Sequence, residues 1–413
     1  MLKSEFIKDI SVRGYMHQCT DLDALDKLCK SQSIAAYIGF DCTADSLHVG
    51  SLTQIMMLRK LQKCGHKPIV LMGGGTTKIG DPSGKDSARP LLSNEDINSN
   101  LKSIKSIFEK YLYFGNKQTD AIMIDNSDWL DKLDLIPFLR DYGKHFSINR
   151  LLGMESVKLR LEREQPLSFL EFNYAILQAY DFLELNRKFN CQLQMGGSDQ
   201  WGNIVTGIDL TRRIQKLEVY GLTSPLITTS SGAKMGKTAS GAVWLNEGKL
   251  SSWEFWQFWR NTEDKDVIKF LKLFTELPLN EIDKLGELKG AKINDAKIVL
   301  ANEVTKLCHG EKASIQAFNT ATDTFEKGKL GDKLPKYNIT LSKDNNVSLI
   351  DALCKTELCK SKGEARRLIK GGGARINDVS YLEENYLINK NDFDKSGSIK
   401  ISSGKKNHAV LYI

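Results

Sequence analysis

A chain of 413 residues has room for two or three domains, the larger of which can bury a full core. Its 41% hydrophobic and 26% charged residues are ordinary for a globular protein, and no run of eighteen apolar residues occurs, so no membrane span is predicted. The net charge of +7 is compatible with a polyanionic partner but does not require one. The eight cysteines form no C-x-x-C pair, which excludes zinc spacing and predicts free thiols in a reducing cytoplasm. The opening stretch, Met1-Leu-Lys-Ser-Glu-Phe-Ile-Lys-Asp9, is partly acidic and lacks a long apolar core, and so predicts neither a secretory signal nor a transit peptide.

In chain order, residues 35–39 predict a short strand and 50–63 a helix with apolar residues at 52, 55, 56 and 58. Residues 68–72 (Pro-Ile-Val-Leu-Met) predict a buried strand ending in Gly73-Gly-Gly75. A helix near 94–110, a strand at 121–124, a long helix at 168–187, a strand at 191–195 and a helix at 199–215 follow. This alternation predicts an α/β fold with a doubly wound parallel sheet, whose ligands bind at the carboxyl ends of the strands. The Gly-rich turns at 73–75, 80–84 and 196–197 fall at such ends. Four regions are expected: an α/β region over 1–245, a helical one over 246–327, a polar linker over 328–345, and a small α/β unit over 346–413.

Three groups of residues carry candidate chemistry. His48 precedes the helix that starts near Gly50; it can donate to phosphate oxygens beside free helix N–H groups, or it can simply cap the helix. Gly50 would let a nucleotide approach closely. Lys234-Met-Gly-Lys-Thr238 lies in a Gly- and Ser-rich loop, which reads as a solvated basic loop or as one that closes over a triphosphate. Tyr174, Gln178 and Asp181 share one face of an otherwise apolar helix, so each must be hydrogen-bonded to protein or to a ligand.

Together these segments resemble a known family. His48-Val-Gly-Ser51 and Lys234-Met-Gly-Lys-Thr238 resemble the two signatures of class I aminoacyl-tRNA synthetases, with Ser51 in place of the usual second histidine. Joined by Tyr37-Ile-Gly-Phe-Asp41, Gly80-Asp-Pro-Ser-Gly-Lys85, Asn173-Tyr-Ala-Ile-Leu-Gln-Ala-Tyr-Asp181 and Gly196-Gly-Ser-Asp-Gln-Trp-Gly202, they resemble the bacterial tyrosyl-tRNA synthetases in order and spacing, from about residue 10 to the C-terminus. The resemblance implies a Rossmann-like catalytic domain that activates L-tyrosine with ATP and passes it to tRNA(Tyr). It implies that Tyr37 and Asp181 bind the phenol, that Asp81, Tyr174 and Gln178 bind the ammonium, and that Gln200 lies near the carboxylate. Gly39, Asp41, His48, Gly50, Ser51, Gly197 and Asp199 would line the ATP site, with Ile38 replacing a frequent ribose-contacting cysteine. Lys234, Lys237 and Thr238 would hold the departing pyrophosphate, with Lys85 and Arg89 nearby. Mg²⁺ would travel with ATP, with no structural metal in the protein. The family further implies a cytoplasmic homodimer.

Residues 355–375 hold seven basic and two acidic residues. Ser361 and Glu364 predict a capping box for a helix carrying Arg366, Arg367 and Lys370, stopped by Gly371-Gly-Gly373. With Lys360 and Lys362 this is either a solvated face or an RNA contact. The pattern resembles the S4 RNA-binding fold. The helical 246–327 region, by the same resemblance, would contact the anticodon region. Two alternatives stand beside this reading: a tryptophanyl relative, against which Asp181 argues because an indole has no hydroxyl to pair there, and a non-catalytic RNA-binding relative of the same fold.

Overall fold

The computed structural model describes residues 2–83, 91–230, 232, 235–238, 241–325, 334–341, 346–394, 397–404 and 407–413. Backbone packing divides it into two compact units, Met1–His309 and Gly310–Ile413.

The first unit opens with α1 (Glu5–Arg13), β1 (Gln18–Cys19) and α2 (Leu22–Ser31). There follow β2 (Ala35–Asp41), α3 (Val49–Lys63), β3 (Lys67–Gly73), α4 (Asn94–Tyr111) and β4 (Ile122–Asp125). A run of short helices comes next: α5 (Ser127–Leu130), α6 (Leu135–Asp141), α7 (Ile148–Leu152), α8 (Glu155–Glu162) and α9 (Phe169–Phe172). Then come α10 (Tyr174–Phe189), β5 (Cys191–Gly197), α11 (Trp201–Gln215) and β6 (Tyr220–Ser224). The two-residue strands β7 (Lys237–Thr238) and β8 (Gly241–Ala242) pair with each other. The helices α12 (Ser252–Arg260), α13 (Val267–Phe274), α14 (Leu279–Gly286) and α15 (Ile293–His309) complete the unit.

The main sheet has the order β1-β6-β5-β2-β3-β4, parallel except where β1 meets β6. Its central strands are covered on both faces, which is why β2 and β3 read as continuous apolar runs rather than alternating ones. One layer of core joins Tyr37, Ile69 and Leu71 of the sheet to Phe182 and Leu185 of α10 and Ile204 and Ile208 of α11. The chain progresses one way through β2, β3 and β4 and the other way through β5 and β6. The strand order therefore reverses between β2 and β5, where a crevice opens outside the carboxyl ends.

The single helix expected over 168–187 is divided at Asn173. Ser168 and Glu171 form a capping box that starts α9, and the Asn173 side-chain amide donates to Phe169 O at 2.6 Å. Neither feature interrupts the apolar periodicity, so the break is invisible to it. At its other end α10 stops at Asn190, which takes the left-handed conformation (φ 51°).

The second unit contains α16 (Glu311–Phe325), β9 (Lys336–Asn338), β10 (Asn346–Ser348), α17 (Leu349–Lys355) and α18 (Lys362–Lys370). Then come β11 (Ala374–Ile376), β12 (Val379–Ser380), β13 (Leu387–Asn389), β14 (Ser398–Ser403) and β15 (Asn407–Tyr412). Its larger sheet runs β12-β11-β14-β15-β9, over a core of Leu349, Leu353, Ile369, Ile376, Ile399 and Leu411. Part of the stretch expected as a linker is thus a strand: β9 pairs in parallel with β15, Tyr337 opposite Leu411. The helices expected together over 246–327 fall into both units, α12–α15 in the first and α16 in the second. Ser361 caps α18 by accepting from Glu364 N at 3.2 Å, but Glu364 reaches back to Lys360 N at 2.7 Å, so the cap is not the reciprocal box expected.

Candidate active site

A cavity of about 510 Å³ occupies the crevice at the carboxyl ends of β2 and β5. Tyr37, Gly39 and Asp41 enter it from β2, Gln194 and Gly197 from β5, and Tyr174, Gln178 and Asp181 from α10. His48, Gly50 and Ser51 enter from the start of α3, and Asp81, Asp199 and Gln200 from strand-end turns. All of these but Gln194 are expected site residues, and they meet in one place.

At one end sits Asp181, only 1% exposed. Its carboxylate accepts from Trp129 Nε1 at 2.8 Å and Asn126 Nδ2 at 2.9 Å. Burial pushes its pKa up to about 7; the two hydrogen bonds oppose that shift, and the charges of Asp41 and Asp125 add to it. Beside it the Tyr37 hydroxyl is buried with no hydrogen-bond partner among the described residues, as is the Gln194 amide oxygen. Burial, then the charge of Asp181, pushes the Tyr37 phenol well above its usual range, so it stays a neutral donor.

The middle of the cavity is polar and acidic. Asp81 accepts from Ser83 N at 2.9 Å and from Gln200 Nε2 at 2.8 Å. Asn203 Nδ2 donates to both Gln200 Oε1 (3.0 Å) and Gln178 Oε1 (2.9 Å), fixing which way the two amides face. Tyr174 donates to Asp41 Oδ2 at 3.2 Å, and Thr76 donates to Asp41 Oδ1 at 2.8 Å. Tyr174, expected at the ammonium, and Asp41, expected at ATP, are therefore joined. Burial and the charges of Asp41, Asp81 and Asp181 push the Tyr174 phenol well above its usual range. A cluster of carboxylates in a shielded site favours a bound cation.

At the far end His48 is the N-cap of α3, its Nδ1 accepting from Gly50 N at 2.9 Å. A neutral imidazole accepting at Nδ1 carries its proton on Nε2, leaving that nitrogen as a donor. Gly50 is needed for this geometry, since a Cβ there would stand 2.5 Å from His48 Cε1 and 2.8 Å from Nδ1. Gly50 itself lines the cavity beside that imidazole. At Gly39, also expected at the nucleotide, a Cβ would meet nothing within 4 Å, so the strand presents bare backbone to the cavity. A Cβ on Gly197 would stand 2.5 Å from Asp199 Oδ1. Gly236 (φ 84°) packs on the first turn of α3, where a Cβ would lie 2.8 Å from Gly50 N. Ile38 is buried in the wall. Lys85, Arg89, Lys234 and the side chains of Lys237 and Thr238 lie outside the described residues.

Sequence reasoning missed Asn126, Trp129, Thr76, Gln194 and Asn203. Asn126 directly follows β4, at a carboxyl strand end where the sheet topology directs attention to polar residues. Asn203 directly follows the Gly196–Gly202 segment, as the third residue of α11, with no motif of its own to mark it.

The basic residues expected to meet RNA lie in the second unit. Lys360, Lys362, Arg366, Arg367 and Lys370 are exposed on or beside α18. Lys362 pairs with Asp351 at 2.8 Å and Lys370 with Glu384 at 2.7 Å.

Residues 30–326 match the family model of class I tRNA synthetases (W and Y), and residues 326–411 that of the tyrosine–tRNA ligase SYY-like C-terminal domain. The tyrosine–tRNA ligase of Zymomonas mobilis is 60% identical over 409 residues, covering 99% of this chain and 98% of that protein. The chain belongs to the tyrosyl-tRNA synthetases. A second tyrosyl-tRNA synthetase, from Rhodospirillum rubrum, is 57% identical over 100% of this chain and 98% of its own length. Among solved structures, a C-terminally truncated mitochondrial tyrosyl-tRNA synthetase of Aspergillus nidulans superposes with a TM-score of 0.70 at 30% identity, covering 78% of this chain and 95% of that one. The full-length relatives are tyrosine ligases by name, which sets aside both the tryptophanyl and the non-catalytic alternatives.

Proposed function

We propose that the cavity holds L-tyrosine at its Asp181 end and ATP at its His48 end, and that the chain works through it as a tyrosine–tRNA ligase. Asp181 carries this reading: a carboxylate kept in place by two donors, beside a buried hydroxyl that no described residue satisfies. A substrate phenol supplies the missing partner to both, and phenylalanine supplies none. Asp81, Tyr174 and Gln178 would receive the α-ammonium, which the surrounding carboxylates favour, and Gln200 would lie near the substrate carboxylate.

The tyrosine carboxylate is ionised at neutral pH and attacks the α-phosphorus without a general base. The bond to the β-phosphate oxygen breaks and pyrophosphate leaves. The terminal adenosine hydroxyl of tRNA(Tyr) then attacks the tyrosyl carbonyl, releasing AMP. Gly39, Asp41, Gly50, Ser51, Gly197 and Asp199 would line the nucleotide, while His48 Nε2–H would donate to phosphate oxygens whose charge grows in the transition state. Lys234, Lys237 and Thr238 would receive the pyrophosphate. Mg²⁺ would arrive on the ATP phosphates.

The α18 face would bind tRNA phosphates as an S4-like element. Leu135, Ile136, Ile148, Leu161 and Phe169, the last 81% exposed, are apolar residues that α6–α9 leave uncovered, and burying them would favour self-association as a homodimer. No helix among the described residues is long and apolar enough to cross a membrane.

Amino-acid-dependent ATP–pyrophosphate exchange on the purified chain tests the reading. Exchange is expected with tyrosine and not with tryptophan. No exchange with tyrosine overturns it.

A further inference from the structure

The three residues Val243–Leu245 join the two signature segments of the site. Val49 N donates to Val243 O and Leu245 N to Leu47 O, both at 2.9 Å. His48 and Trp244 thus stand directly opposite in an antiparallel bridge, as a pair that exchanges no backbone hydrogen bonds with each other. In such pairs the side chains come closest. Val243 N in turn donates to Gly236 O at 3.0 Å, in the stem of the lysine loop.

The Trp244 indole meets the His48 imidazole edge to face, with centroids 6.3 Å apart and planes at 66°. It also lines the cavity. Lys249 Nζ sits 4.7 Å from its ring centroid, and Lys249 pairs with Asp45 in the loop leading to α3. Gly50 N at Nδ1 and the Trp244 indole along the ring are thus two of the contacts that set the orientation of the His48 imidazole, and with it the direction of Nε2.

We propose that Trp244 is a positioning residue for the activation step, fixing the His48 imidazole so that Nε2 points at the phosphates, on a strand that also fastens the lysine loop. This rests on the role of His48 proposed above.

A double-mutant cycle in tyrosine-dependent pyrophosphate exchange tests it, with Trp244→Leu, His48→Ala and the pair. His48→Ala alone checks the underlying reading: a loss of about 10²-fold in kcat is expected, and no loss overturns the role of His48 itself. Trp244→Leu is expected to lower kcat about 5- to 20-fold, the scale of one aromatic contact plus a misaimed donor, with KM for tyrosine within about 2-fold. Trp244→Phe should restore most of that loss. In the His48→Ala background Trp244→Leu should cost less than about 2-fold. An equal cost in both backgrounds, no cost in either, or a loss confined to KM for tyrosine overturns the proposal. If Trp244→Leu does not fold, Trp244→Phe carries the same cycle: its smaller loss must vanish without His48, and a loss that persists, or none at all, overturns it.

Discussion

Asp181 is a carboxylic acid held near its titration point at neutral pH, which makes specificity depend on pH. Below about pH 7 the buried group is neutral, and leaving it without a phenol is cheap; above it, an unpaired buried carboxylate costs about 1–3 kcal/mol or more. Discrimination between tyrosine and phenylalanine, read as the ratio of kcat/KM in exchange, should therefore rise between pH 6 and 8. A flat ratio would mean that Asp181 does not titrate there. The same shift has a stability consequence. Between pH ~4 and ~7 the folded chain keeps a proton that the unfolded chain releases, so this contribution is lost as pH rises through the folded value. Thermal unfolding should show Asp181→Asn gaining on the parent as pH goes from 5 to 8, on the order of 3 kcal/mol at most. At Gly50 the constraint is steric. Gly50→Ala improves helix propensity, yet its methyl would push the imidazole aside, since the Cβ stands 2.5 Å from His48 Cε1. The variant should fold normally and lose about 10- to 100-fold in kcat for activation. These two residues mark the limits of reading the site from sequence. Tyr37, His48, Tyr174 and Asp181 were legible because their motifs stand in register, but the reason for Gly50 was not. Its partner is the neighbouring side chain, and only coordinates show where that ring folds. Likewise the donors Asn126 and Trp129 sit 55 and 52 residues from Asp181 in the chain.

At the scale of elements, α3 is the part that links chemistry to scaffold. Its first turn lines the cavity through Gly50 and Ser51, and its last two turns are fastened elsewhere. Arg59 makes a bidentate contact to Glu276 at 2.7 and 2.9 Å and donates to Tyr111 O, while Lys63 reaches the same carboxylate at 2.6 Å. Lys60 and Arg13 share Asp9. Burial alone pushes the Glu276 carboxyl up, but Arg59 and Lys63 outweigh it and hold it at about 2. A depressed acid stabilises above its unfolded value and loses that contribution as pH falls toward 2. Glu276→Gln should destabilise the first unit by about 2 kcal/mol at pH 7, because Arg59 keeps a partly buried charge without its counterion. The gap between the urea midpoints of parent and variant should narrow from pH 4.5 downward and close only toward pH 2; a constant gap would point to packing instead. The elements themselves were legible where burial is two-sided and the apolar run continuous, as in β2 and β3. They were hidden where side chains rather than periodicity decide, as at the Asn173 break. β9 was hidden too, because it is a three-residue strand whose pairing partner, β15, lies about seventy residues on.

At the scale of the whole molecule, adenylate chemistry and RNA contact are assigned to different compact units, and this separation can be tested. Arg366 and Arg367 lie exposed on α18, whose polar face is turned out because Ala365 and Ile369 are buried on the other. Neither arginine belongs to the cavity-lining set, so replacing both with alanine should leave tyrosine-dependent pyrophosphate exchange unchanged. Aminoacylation should instead show a raised KM for tRNA. If each guanidinium meets one phosphate, removing both lowers the slope of log K against log salt by between ~1.4 and ~1.8, whatever the RNA sequence. Filter binding of tRNA(Tyr) over a salt series measures that slope directly. An unchanged slope with weaker binding would mean that the arginines act by shaping the unit, and an unchanged affinity would move the RNA surface to another face of it.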